Sequence, residues 1–309
     1  MKNKLKIALP IGILAVAALL VWYLPAHNVA VLNVAGPVSR QERNLLYFAL
    51  LLSAVVVIPV FAMTIGIVWK YRENGSGSHK QYRPEWDHSR LYEGLWWGIP
   101  AVIIGVLSVV TWNSSHALDP YKPLAATVPA LNVDVVALDW KWLFIYPAQN
   151  IASVNELELP VGTPVDFNIT SDSVMNSFWI PNLGGQIYAM PGMNTQLHLE
   201  ADKLGTFPGS SANISGSGFA GMKFKVRSVP SESFQAWVAG ARRSPLSLST
   251  RRYAILAEPS SNYPVTYYRS VASGLYQGII DKYMLPAAPT SGLSGSNASP
   301  VKTLNMAGM

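Results

Sequence analysis

The chain contains no cysteine at all, and only 13% of its 309 residues are charged. Without thiols there are no disulfides, no thiolate metal sites and no cysteine nucleophile. Soluble domains carry about 25% charged residues; the shortfall here, with 50% hydrophobic residues and a mean hydropathy of +0.22, reads as a membrane protein with a substantial soluble part. Positive charge exceeds negative by +6. Its lysines and arginines are scattered rather than gathered in a stripe, so the excess does not form the basic patch that marks nucleic-acid binding.

What is present falls into zones. Residues 7–24 are apolar and follow Lys2, Lys4 and Lys6, the layout of a secretory signal, although no clean small-residue cleavage site follows. The segment 1–24 therefore reads as either a signal sequence or an anchor helix. Two longer apolar runs, 45–69 and 95–112, can each span a bilayer. Pro59 lies inside the first, which a bilayer helix tolerates. Trp96, Trp97 and Trp112 suit the aromatic belt at the interfaces.

The runs form a predicted hairpin over 41–115, with the loop 70–92 between them holding Lys70, Arg72, Lys80, Arg83 and Arg90. A short basic loop lies on the cytoplasmic side, so everything after Trp112 is expected on the periplasmic side. Glu93 sits at the cytoplasmic mouth of the second run, in L-Y-E-G-L-W-W-G-I-P. Taken alone it is a carboxylate that complements a helix N-terminus.

Beyond a proline-containing linker the pattern changes. L-N-V-D-V-V-A-L, E-L-E-L-P, P-V-D-F-N-I-T and T-Q-L-H-L-E alternate with the period of half-buried strands. P-N-L-G-G and P-G-M-N mark turns between them. Short strands over about a hundred residues predict an all-β sandwich or barrel. Residues 230–285 read as mostly helical with loops and carry Tyr253, Tyr263, Tyr267, Tyr268, Tyr276 and Tyr283, an aromatic-rich extension. The tail 286–309, rich in Pro, Ser, Gly and Ala, has the composition of a disordered segment.

The stretch 205–222 reads G-T-F-P-G-S-S-A-N-I-S-G-S-G-F-A-G-M. It resembles the binuclear-copper loop of subunit II of the haem-copper oxidases, G-x-[FY]-x-x-x-C-S-E-x-C-G-x-x-H-x-x-M. On that pattern the two cysteines fall on Ser211 and Ser215, the glutamate on Asn213, the histidine on Phe219 and the methionine on Met222. The family's upstream histidine falls on Asn176, in S-V-M-N-S-F-W-I-P. Copper of this kind is held by soft thiolates and imidazoles, and five of these six positions have changed, all the thiolates and imidazoles among them.

Loss of copper is the pattern of the family's quinol-oxidising branch, which includes the bo-type ubiquinol oxidases. V-M-N-S-F-W-I-P, G-Q-I-Y-A-M-P-G-M and G-F-A-G-M-K-F-K resemble that branch, and the likeness runs from about residue 41 to 283. Many of its members carry a lipidated N-terminal cysteine, which this chain cannot supply.

The resemblance implies a cupredoxin-like Greek-key sandwich over 127–229, placed periplasmically on a multi-pass subunit of the bacterial inner membrane. It implies a non-catalytic role in a proton-translocating oxidase that oxidises ubiquinol and reduces O2 to water. Haem and copper would lie in the partner subunit I, with none in this chain. Partners would be subunit I, other subunits, membrane lipid and, through the complex, quinol. It also implies a proton-entry role for Glu93, against the plain reading of a solvated helix-end charge.

Other readings compete. W-K-W-L-F-I-Y (residues 140–146) matches the family's aromatic pattern for electron entry, yet without copper the packing role of Trp140, Trp142 and Tyr146 is preferred. His27, His79, His88, His116 and His198 show no metal spacing. Ser211 lacks a nucleophile elbow, and G-S-G-F-A-G lacks the ending of a phosphate loop. A copper-containing cytochrome c oxidase subunit would need the missing thiolates. A membrane-tethered binding module remains the third alternative.

Overall fold

The computed structural model describes residues 23, 29–70 and 88–284. The segment 1–24 (Tyr23 apart), most of the loop 70–92 and the tail 286–309 lie outside the described residues.

Two long helices come first, α1 (Pro37–Lys70) and α2 (Arg90–Ala117). Pro37 occupies the first turn of α1, where its missing N–H costs nothing. Both helices outrun the apolar segments 45–69 and 95–112. At 1.5 Å per residue, 34 and 28 residues reach about 51 and 42 Å, beyond the roughly 30 Å hydrocarbon layer. Apolar side chains face outward along their whole length, with Phe61, Trp97 and Trp112 each more than 60% exposed. Such surfaces suit lipid or neighbouring helices rather than water.

A β-sandwich follows, and the expected architecture of apolar hairpin, cupredoxin-like sandwich and helical extension is what the chain adopts. Its strands are β1 (Leu131–Leu138), β2 (Lys141–Tyr146), β3 (Ile151–Val154), β4 (Glu156–Pro160), β5 (Pro164–Ser171), β6 (Asn176–Trp179), β7 (Ile187–Ala189), β8 (Thr195–Glu200), β9 (Gly205–Ser211) and β10 (Lys223–Val229). A short β11 (Thr266–Tyr268) adds an edge. The two sheets run β11-β3-β2-β1-β5-β8 and β4-β10-β9-β6-β7. Two pairs are parallel, β1 with β5 and β10 with β4, as crossovers between sheets require.

Between the sheets lies an aromatic core. Phe178 packs on Trp142, Phe167 and Phe224 with ring centres 5.3, 5.4 and 5.3 Å away. Such contacts add about 0.5–1.5 kcal/mol each beyond area burial. Phe178 stands two residues after Asn176 and Phe224 two after Met222. Strand alternation therefore anchors both ends of the 176–222 loop region on one core. Trp142 and Tyr146 are fully buried.

The extension forms α3 (Ser231–Arg242), α4 (Thr250–Ala257) and α5 (Leu275–Met284). The side chain of Ser249 caps α4 by accepting from the Arg252 N–H at 3.3 Å. Leu248, Tyr253, Leu256 and Ile279 bury Leu138 and Leu143 on the outer face of the larger sheet. In the smaller sheet, β4 was expected as a half-buried strand with one face to water; instead all five of its residues are buried, Glu156 and Glu158 included, because α3 packs over them. β11 is a second departure: the sequence pattern gives helices and loops over 230–285, whereas T-Y-Y pairs with β3.

Candidate functional site

The residues aligned with metal ligands divide into two hydrogen-bonded groups. Asn176 opens β6 and Ser211 ends β9, neighbouring strands of one sheet. The Ser211 hydroxyl lies 3.1 Å from Asn176 Oδ1 and also 3.1 Å from the Asn213 carbonyl. Asn176 Nδ2 donates to the Val174 carbonyl at 3.0 Å, and Asn213 Nδ2 to the Met175 carbonyl at 2.8 Å. These bonds tie the loop after β9 to the loop before β6.

In the second group Ser215 Oγ approaches Met222 Sδ at 3.9 Å. Met222 is buried, and its carbonyl accepts from the Ser211 N–H at 3.3 Å. Phe219 joins differently: it starts the 3-10 turn Phe219–Gly221, and its carbonyl accepts from the Met222 N–H at 3.0 Å.

Trp140 closes the loop from one side. It sits in the turn between β1 and β2 with φ of 63°, unfavourable for a bulky side chain. Its indole N–H donates to the Ser215 carbonyl at 3.1 Å, and its ring lies against Gly218, where a Cβ would collide with it. The contact holds the strained backbone in place. Trp140 thus packs on the loop, in line with the structural reading of the W-K-W segment.

The donor set does not suit copper. Its groups are protonated hydroxyls, neutral amides, a phenyl ring and one thioether, and the polar atoms already bond to one another. Among the described residues no group of three or more His, Asp or Glu side chains could hold a metal ion. Of the described histidines, His116 bonds the Trp112 carbonyl and His198 bonds Asp166 at 2.7 and 2.6 Å.

Glu93 occupies the first turn of α2, about 36 Å of helix before Ala117, and the sandwich that carries the loop follows that other end in the chain. Its carboxylate meets His88 Nδ1 at 2.5 Å. Sequence reasoning missed this pairing. The signal was there: with Ser89 as N-cap, His88 and Glu93 hold the N′ and N4 positions, whose side chains face each other across a helix start. Also unread was a cavity of about 150 Å³ where the hairpin meets the sandwich, lined by Glu42, Leu118, Asp119, Lys122 and His198 among others.

Comparison with known proteins places this geometry. The family described as "Cytochrome C oxidase subunit II, periplasmic domain" matches residues 127–229, and the "COX Aromatic Rich Motif" matches 242–287. The chain is 50% identical to cytochrome bo(3) ubiquinol oxidase subunit 2 of Pseudomonas aeruginosa, over 83% of this chain and 77% of that one. It is 49% identical to ubiquinol oxidase subunit 2 of Acetobacter aceti, over 82% of each. Quinol oxidase subunit 2 of Bacillus cereus is 35% identical over 75% of this chain and 79% of its own. Among solved structures, the periplasmic domain of subunit II of cytochrome oxidase of Bradyrhizobium japonicum aligns with 38% of this chain and 98% of that one, at 26% identity and TM-score 0.36. By the coverage and identity of these relatives, the chain belongs to the subunit II family of the haem-copper oxidases, within its ubiquinol oxidase subunit 2 members.

Proposed function

We propose that the chain serves as the non-catalytic subunit II of a proton-translocating terminal oxidase that takes electrons from ubiquinol and reduces O2 to water. The observation that carries this reading is the 176–222 loop region. The positions aligned with copper ligands bond to one another instead, so the sandwich offers no electron relay to a water-soluble donor. A donor that approaches from within the bilayer does not need one.

On this reading Asn176, Ser211, Asn213, Ser215, Phe219 and Met222 are a vestigial metal site kept as a structural loop. Haem and copper belong to the partner subunit I, with which this chain assembles alongside other subunits and lipid. The domain boundaries at 41–115, 127–229 and 230–285 follow the same reading, with the hairpin in the bacterial inner membrane and the sandwich and extension periplasmic. Glu93, at the cytoplasmic end of α2, helps protons enter subunit I.

Purification of the intact complex tests the proposal. Haem should co-purify, ubiquinol should drive oxygen consumption, and reduced cytochrome c should not. A chain recovered free of haem proteins would overturn it, as would stoichiometric copper with intense visible absorption in the isolated subunit.

A further inference from the structure

The start of α2 pairs an imidazole with the carboxylate to which proton entry is assigned above. His88 precedes the N-cap residue Ser89, and the backbone N–H of Glu93 closes the first turn by donating to the Ser89 carbonyl at 2.9 Å. That turn brings the N′ and N4 side chains together, the place where helices commonly carry an apolar staple. Here the contact is polar: His88 Nδ1 lies 2.5 Å from Glu93 Oε1. The side chain of His88 is 63% exposed, whereas that of Glu93 is 34% exposed. The imidazole is the more exposed of the two groups. Arg90 and Tyr92 share this turn.

We propose that His88 is a positioning and proton-collecting residue for Glu93. An imidazole has two nitrogens and can take a proton on one while releasing another from the other. With Nδ1 committed to Glu93, a hydronium proton binds Nε2, and the Nδ1 proton passes to Glu93 Oε1. The balance is one hydronium and one carboxylate giving one water and one carboxylic acid. The ring returns to its first tautomer by exchange with water, and no electrons move. The chemistry needs only water and the two side chains. It gives the entry carboxylate a second group that can carry a proton on either of two nitrogens, which a lone glutamate lacks.

The inference rests on the proton-entry reading of Glu93, and the test separates the two. The intact oxidase is prepared with His88→Ala, His88→Gln or Glu93→Ala, and quinol turnover and proton uptake are followed from about pH 6 to about pH 9. His88→Ala is expected to lose turnover about five- to tenfold at the alkaline end and little at the acid end, because protons are scarce only in the former. Added imidazole should restore the alkaline rate in His88→Ala and leave Glu93→Ala unchanged. His88→Gln keeps a hydrogen-bond partner for Glu93 but cannot relay, so it should behave like His88→Ala. A His88→Ala profile that superimposes on the unsubstituted enzyme overturns the relay alone, and so does a full rate in His88→Gln. Unchanged turnover in Glu93→Ala overturns the entry reading and the relay with it.

Discussion

At the residue scale, two carboxylates in the sandwich carry unusual surroundings. Asp172 is almost wholly buried just after β5 and accepts from Tyr253 at 2.6 Å, Lys282 at 2.7 Å and Tyr283 at 2.9 Å. All three donors belong to the extension, so a single sandwich carboxylate fastens both α4 and α5. Burial and the bond to Asp172 hold the Tyr253 phenol well above its ordinary range. Asp172→Asn would remove the charge and turn an N–H2 toward a donor, at a cost of about 1–3 kcal/mol from hydrogen bonds left unmade, Lys282 being free to reach water. Hydrogen exchange should rise across residues 275–284 while the core strands stay protected; unchanged exchange there would show that the apolar contacts suffice. Glu158 is the converse case. Burial under α3 pushes its carboxyl from 4.5 to about 7, against the pull of Arg227 at 3.5 Å and helped by the neighbouring Glu156. The folded state therefore binds the proton more tightly than the unfolded chain, and stability falls as pH rises from about 4.5 to about 7. Above that window the ionised group costs about 3 kcal/mol. Glu158→Gln should be near neutral below the window and stabilising above it, as pH-dependent denaturation of the full chain would read; a constant difference across the range would contradict the assignment.

At the element scale, the loop 205–222 is held in a well-anchored frame. Its ends rest on Phe178 and Phe224, Trp140 presses on Gly218, and the two strands β6 and β9 remain paired through Phe178 and Ser211. On the vestigial reading, Asn176→His, Ser211→Cys, Asn213→Glu, Ser215→Cys and Phe219→His together should restore copper binding with intense visible absorption, since Met222 is already buried in place. A folded fivefold variant that takes up no copper would show that the backbone frame has drifted. The same elements show what the amino-acid order reveals and what it hides. The hairpin was legible because bilayer spans are long, contiguous and apolar, and the sandwich because alternation and the spaced glycines survive locally. β11 was not, since three residues carry no period and pair only after the 111 residues between Val154 and Thr266 fold. Glu156 and Glu158 read as outward-facing because alternation reports two faces of a strand, not what a later helix lays over one of them. His88 escaped notice because its meaning lies in the N′ to N4 geometry of one helix start, not in any metal-like spacing of histidines.

At the scale of the whole molecule, the hairpin must be held at a defined angle to the sandwich, and the segment 29–42 does this through hydrogen bonds. Ala35 donates to the Asn182 carbonyl at 2.8 Å and accepts from the Asp202 N–H at 2.9 Å. Asn182 Nδ2 reaches the Asn33 carbonyl at 2.7 Å, Ser39 Oγ donates to the Asn182 carbonyl at 2.8 Å, and the Gly185 N–H donates to Glu42 at 2.9 Å. An Arg40–Asp202 ion pair closes the seam. Each bond contributes only about 1 kcal/mol net, but together they stitch the first turn of α1 to the 180–185 and 200–203 loops. Gly36 stands at the tightest point, where a Cβ would run into the Glu200 carbonyl oxygen. That obstacle is backbone, which cannot swing aside as a side chain can, so Gly36→Ala must part the seam or shift β8. The sandwich core is remote from this contact and should keep its protection. Hydrogen exchange across residues 33–42 and 180–185 should therefore rise in Gly36→Ala while β1, β2 and β5 stay slow. If the seam serves to position the sandwich over subunit I, the same variant should yield less haem-bearing complex from equal amounts of membrane. Full protection and full assembly in Gly36→Ala would mean that the membrane helices alone set the orientation.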